Sequence, residues 1–359
     1  MTSGRAAAGL PAGMAVVDCE VHAAEPSIET LFPYLDDHWR EVATTTQFRG
    51  PTDSAHPPSA ATSLRPELVG VEPPAASSVE DVARNALDPW DVQAAILVCS
   101  YSAEAIKNPD AAVALTRAVN TWLQREWLDR DERLRGSIVV PASPQLAADE
   151  IDRVAEDSRF VQVLLPVRSF APYGNRLWWP VLDAAHRHGL VVAIHFGGYP
   201  GNPPTAVGWP TTYIEEFVDG ANAFQSQLMS LVAEGVFDRF EGLRVICLES
   251  GFAWMPSLMW RFDRLWRALR REIPWTRRAP SEYLREHVRL STQPFDVPDS
   301  FEFDRIVAQL DCPEMLCFAT DYPHWQFAGD ADAVPPGVAD VLLDAIMGGN
   351  ASALYNLRP

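Results

Sequence analysis

No apolar run in this 359-residue chain approaches the roughly 20 residues needed to cross a bilayer. The first fifteen residues hold Gly, Ala and Pro with one arginine, and lack the apolar stretch of a secretory signal. Positive charge is scarce: 29 Lys+Arg stand against 48 Asp+Glu, for a net charge of -19. That balance argues against nucleic acid and anionic membrane surfaces as partners. Lysine is almost absent, Lys107 being the only one. Cysteine is sparse and odd in number, and Cys19, Cys99, Cys247, Cys312 and Cys317 lie in or beside apolar runs. They suit reduced core positions better than a disulfide framework. These absences together predict a soluble, cytoplasmic protein acting on a small molecule.

What is present is a repeating alternation. Short β-branched or apolar runs occur at 14–20, 92–99, 135–141, 160–166, 190–196, 243–250, 288–294 and 315–321. Helical periodicity appears between many of them, at 111–128, 147–156, 178–188, 257–271, 301–310 and 338–347. Strands alternating with helices imply a parallel sheet, and eight of them imply a closed (β/α)8 barrel, a TIM barrel, forming one domain over 1–359. An open doubly wound sheet would normally carry a glycine-rich phosphate loop after its first strand, and none is seen. The spacing is uneven at 36–88, a Pro-, Ser-, Thr- and Ala-rich insertion expected to hold one short helix near 79–86. Residues 199–213 form a second irregular stretch.

In such a barrel the strand C-termini and their loops carry the chemistry. Glu20 and His22 fall at the end of strand 1, His195 at strand 5, Glu249 at strand 6 and Asp321 at strand 8. Alternation places Asp18, Glu20 and His22 on one face, and Cys247 with Glu249 and Ala319 with Asp321 on others. Burying this much polarity requires a cation or a proton to pair with it. Two histidines with two carboxylates suit one divalent ion of borderline hardness, Zn2+ or Mn2+, with a position left for water or substrate.

The motifs DCEVH, AIHFGG, LESGFAWMP, TDYPHW and GGNASALYNL, in this order, resemble the aminocarboxymuconate-semialdehyde-decarboxylase-like branch of the amidohydrolase superfamily. The resemblance implies a (β/α)8 barrel with one catalytic metal and decarboxylase, hydratase or hydrolase activity. It places metal ligands on Glu20, His22, His195 and Asp321, and implies a homodimer. A Glu-x-His first pair is similar to that of the metal-dependent hydroxybenzoate decarboxylases. Two features depart from the pattern: Glu249 stands where most members carry a histidine, and no lysine on strand 4 is available to bridge a second ion.

Other residues keep two readings each. Asp18 is a ligand or a hydrogen-bond acceptor for nearby backbone. Glu249 is a proton shuttle or the ion-pair partner of Arg244 or Arg261. His324 acts at the site or packs in its loop. Arg168 clamps a substrate carboxylate or lies at the surface. Trp209 and Trp325 are candidates for an aromatic wall, while Trp178, Trp179, Trp254 and Trp260 are expected to pack helices against the barrel. The arginine-rich run at 261–278 is a solvated face or a subunit contact. The leading function is non-oxidative decarboxylation of a small aromatic or conjugated acid, with Asp321 or protonated Glu249 delivering the proton. The alternatives are hydrolysis of a C–N or C–O bond by a metal-activated water, or a barrel that has lost catalysis.

Overall fold

In the computed structural model, residues 9–11, 13–51, 63–198, 201–325 and 338–357 are described. Eight parallel strands follow one another in a single sheet in chain order. They are β1 Val17–His22, β2 Ala94–Val98, β3 Leu134–Val139, β4 Phe160–Pro166, β5 Val191–His195, β6 Val245–Leu248, β7 Val288–Ser291 and β8 Leu316–Cys317. Backbone bonds close the ring between β1 and the segment after β8. Cys19 N–H donates to Phe318 O, His22 N–H to Tyr322 O and Asp321 N–H to Glu20 O, each at 2.9 Å. The expected (β/α)8 barrel is what the chain forms.

Two apolar layers result. Val17, Cys19, Ile96, Val98, Ala193, Ile246, Leu248 and Cys317 fill the barrel interior. Val16, Val21, Leu97, Ile194, Cys247 and the helix faces form the outer layer between sheet and helices. All five cysteines are free and buried, as their sequence context suggested.

The helices depart from the sequence reading in several places, the unforeseen helix Pro280–His287 among them. The insertion carries a ten-residue helix, Asp37–Thr46, besides the expected short one at Val79–Val82. Its central PTDSAHPPSAATS stretch lies largely outside the described residues. The longest helix, Tyr213–Ala233, is absent from the sequence reading, because Gly220 interrupts its pattern. A Cβ at position 220 would lie 2.8 Å from the Phe196 ring, so a glycine is needed where the helix packs against the residue after His195. Trp178 is buried as expected, whereas Trp260 is 56% exposed.

Candidate metal centre

The first strand does not keep simple alternation. Its pairing with β2 shifts between Asp18 and Val21. Val17 and Cys19 face the interior, yet Val21 belongs to the outer layer. Such a bulge resets side-chain parity, so Glu20 and His22 reach the mouth while Asp18 points elsewhere. Asp18 accepts from Glu20 N–H at 3.0 Å, Thr320 N–H at 3.0 Å and Thr320 Oγ1 at 2.6 Å. It therefore ties β1 to the segment bearing Asp321, in the acceptor role weighed for it. Burial pushes its carboxyl up to about 7, against the lowering effect of those bonds.

Parity also fails at β6 and β8. Cys247 faces the outer layer and Ile246 and Leu248 the interior, so Cys247 and Glu249 do not share a face. The β8 ladder ends at Cys317, before Ala319 and Asp321. Glu249 and Asp321 reach the mouth because both adopt left-handed backbone, at φ 53° and 56°. Non-glycine residues rarely do so, at a cost of about 1 kcal/mol or more each. The turn after β6 is held by Asp296, which accepts from Phe252 and Ala253 N–H at 3.2 Å.

At the mouth six side chains meet. Glu20 Oε1 lies 3.1 Å from His195 Nε2, and His22 Nε2 lies 3.0 Å from Asp321 Oδ1. Glu249 faces His195 at 3.5 Å and His324 at 3.5 Å, rather than Arg244 or Arg261, the ion-pair partners of its alternative reading. His324 Nδ1 is 2.8 Å from Asp321 Oδ1. The supporting bonds present the ligand atoms. His195 Nδ1–H donates to Phe196 O at 2.6 Å, leaving Nε2 to carry the lone pair. Glu20 Oε2 accepts from Ser291 Oγ at 3.2 Å and Glu249 N–H at 3.3 Å, which frees Oε1. Ser291 is a participant that the sequence reading missed; its one visible sign is a hydroxyl ending an otherwise buried strand.

These distances suit a shared cation. Glu20 Oε1, His195 Nε2 and Asp321 Oδ2 are fully enclosed and have no hydrogen-bond partner. The first two are close but not aligned for a hydrogen bond. Two electron-rich atoms in that arrangement need a positive charge between them. Glu20, His22 and His195 form one group with metal-ligand spacing, and His22, Asp321 and His324 form another. Without a cation, burial pushes the Glu20 carboxyl up to about 8. Burial alone would lower His195, but the Glu20 carboxylate 3.1 Å away and the other nearby carboxylates lift it to about 9. Burial, with the neighbouring histidines, holds His22 well below the ordinary imidazole range. His324 is opposed by burial but raised by Asp321 and Glu249.

The ligand cluster opens into a cavity of about 450 Å³. Its walls include Leu164, Val139, Tyr101, Phe196 and Tyr213, and the insertion supplies Leu64, Leu68 and Val71. The insertion is fastened there: Leu64 pairs with His324, and Trp325 N–H donates to Ser63 O at 2.8 Å. Trp209, 66% exposed, and Trp325, 48% exposed, are not among the lining residues. Arg168 is not a surface arginine. It is buried, donates from Nη1 to Glu216 Oε1 at 2.7 Å and lies over the Phe196 ring, outside the cavity lining.

Fold and site together define a (β/α)8 barrel with a candidate metal centre at its C-terminal mouth. The chain belongs to the Amidohydrolase family, whose model matches residues 17–357. Gamma-resorcylate decarboxylase of Rhodococcus jostii (strain RHA1) is 25% identical over 210 residues, 52% of this chain. The chain spans 60% of that relative's length. Three solved structures share the fold over 96% of this chain at 20% identity. An amidohydrolase from Mycobacterium avium subsp. paratuberculosis K-10 matches over 100% of its length with a TM-score of 0.73. The 5-carboxyvanillate decarboxylase of Sphingomonas paucimobilis matches over 100% with a TM-score of 0.69. A dihydroxybenzoic acid decarboxylase from Polaromonas sp. JS666, solved with bound manganese and the inhibitor 2-nitroresorcinol, matches over 98% with a TM-score of 0.66.

Proposed function

We propose that this chain is a metal-dependent, non-oxidative decarboxylase of a small aromatic or conjugated carboxylic acid. One divalent ion, Mn2+ or Zn2+, would be held by Glu20, His22, His195 and Asp321. The observation that carries the reading is the convergence of enclosed atoms without a hydrogen-bond partner on Glu20, His195 and Asp321 beside a cavity of about 450 Å³, ample for a small aromatic acid. The curated relative, a decarboxylase of an aromatic acid, supports the substrate class. Manganese in the Polaromonas enzyme supports a hard-to-borderline ion.

When bound, the ion would supply Lewis-acid stabilisation of negative charge on the substrate. The chain's own groups do the rest. Leu164, Val139 and Phe196 give the cavity apolar walls against which a ring can pack. Glu249 and Asp321, which both approach Nδ1 of His324, hold the proton that the reaction consumes. As the carbon–carbon bond breaks, its electron pair takes that proton at the ring carbon and CO2 leaves. Arg168 is committed to Glu216, so recognition of the carboxylate falls to the metal end of the cavity.

The proposal includes one domain over 1–359, a cytoplasmic location and a homodimer. A single eight-stranded sheet supports the first. Free, buried cysteines suit a reducing compartment. The mass of the protein in solution tests the homodimer. Elemental analysis of protein purified without chelator tests the centre: about one ion per chain is expected, lost on Asp321→Asn. CO2 release from a panel of ortho-hydroxy aromatic acids tests the reaction. No bound metal after incubation with Mn2+ or Zn2+ would remove the proposal.

A further inference from the structure

A second cavity, of about 290 Å³, lies beside the metal cavity, and Glu104, Val140 and Pro166 line both. Small-molecule sites start at about this size, near 300 Å³. Much of its wall is carbon: Ile106, Leu165, Phe170, Tyr173 and Trp178. Phe170 and Trp178 pack with ring centroids 5.2 Å apart, yet Phe170 stays 52% exposed. The polar atoms of two of these rings are spent on backbone. Tyr173 Oη donates to Pro166 O at 2.6 Å, and Trp178 Nε1 donates to Ala171 O at 2.9 Å. That part of the wall therefore suits an apolar ring.

The rest of the lining runs against the charge of the molecule. In a chain of net charge -19, its only lysine, Lys107, and the buried Arg168 meet at this one cavity. Among the described residues the lining holds one carboxylate beside them, Glu104. The metal cavity, by contrast, has neither lysine nor arginine among its described lining residues. Lys107 Nζ donates to the backbone O of Glu104 at 2.9 Å, which uses one of its three donors. Arg168 spends Nη1 on Glu216, but its enclosed Nε has no hydrogen-bond partner among the described residues. The eleven-residue helix Pro144–Val154 also begins here. Its N-cap, Ser143, lines the cavity and makes no side-chain capping bond. An uncapped helix start favours an anion, and two basic side chains beside it add to that preference.

We propose that this cavity is a second ligand site, for a small aromatic monocarboxylate, separate from the metal cavity. The ring packs against Leu165, Phe170 and Trp178. The carboxylate meets Lys107, Ser143 and the helix start, with the Arg168 guanidinium adding charge from the wall. A single negative charge answers two basic side chains opposed by one carboxylate. The site does not rest on the decarboxylase reading.

The test uses full-length protein incubated with Mn2+ and the probe 4-bromobenzoate. Equilibrium dialysis counts the bound probe, and anomalous scattering from bromine in soaked crystals locates it. The wild type is expected to bind one more probe per chain than Ala142→Phe, which fills the cavity, with bromine lodged near Leu165 and Trp178. Lys107 is exposed, so Lys107→Met leaves the core intact. It should weaken the site by about tenfold or more, and Lys107→Arg should keep most of the affinity. Uncharged 4-bromobenzamide should bind weaker than the acid by a similar factor. Thermal midpoints matching the wild type show that the variants are folded. Equal probe counts in wild type and Ala142→Phe, bromine confined to the metal cavity, or binding at crystal concentration only would overturn the site. Equal affinity for acid and amide, or no loss in Lys107→Met, would overturn the recognition of charge. Protein that takes up no metal yet binds the probe here would remove the metal-centre reading and leave this site standing.

Discussion

At the level of single residues, His195 and Glu20 face each other at 3.1 Å inside the barrel mouth. In the metal-free protein both groups titrate above their ordinary values, Glu20 at about 8 and His195 at about 9. Between pH 6.5 and 9 the folded state therefore binds more protons than the unfolded chain, and stability falls as pH rises. His22, shifted the other way, adds nothing to the slope above its ordinary range. Thermal melts of chelator-treated protein should show the midpoint dropping across that window. Added Mn2+ should flatten the slope, because the ion replaces the protons. A metal-free midpoint independent of pH would contradict the assigned environments. Thr320 supports the same cluster through its two bonds to Asp18. Thr320→Val should cost about 1–3 kcal/mol in urea unfolding, since it leaves one oxygen of a buried carboxylate unsatisfied.

At the level of elements, the strands were legible and their ends were not. Apolar runs located all eight strands, because a parallel sheet buried on both faces must be apolar throughout. Alternation then failed at the three places that matter: the bulge in β1 and the left-handed turns at Glu249 and Asp321. Local backbone departures of that kind leave no periodic trace in sequence. Glu20, His22, His195, Glu249 and Asp321 stood out because ionisable groups ending apolar runs are rare, not because their faces were deduced. Ser291 escaped because a serine ending a strand looks ordinary. The helix Tyr213–Ala233 escaped because Gly220 serves packing against Phe196. That helix also supplies Glu216, the buried partner of Arg168. Arg168→Met should destabilise by about 3–5 kcal/mol by stripping Glu216 of this partner, and Glu216→Leu in the same chain should recover much of the loss.

At the level of the whole molecule, the barrel is closed by bonds between β1 and the segment after β8, the two places that bear Glu20, His22 and Asp321. A cation held by these residues would therefore also tie the closing seam together. Metal binding should raise stability by about 2.7 kcal/mol at a hundredfold excess over its dissociation constant. Denaturant midpoints with and without Mn2+ would measure this, and His195→Ala should lose most of the gain. The insertion adds the cavity's outer wall through residues 63–76, so exchanging or shortening it should change substrate preference more than metal content.

The central claim is that a carbon–carbon bond is broken and a proton takes the place of the carboxyl group. The most direct measurement is mass spectrometry of the product formed by metal-loaded protein from an ortho-hydroxy aromatic acid, with parallel reactions in D2O and in oxygen-18 water. The account predicts one deuterium at the carbon that lost its carboxyl, and no solvent oxygen in the organic product. Solvent oxygen in that product, with the carboxyl retained, would contradict it and assign the site to hydrolysis.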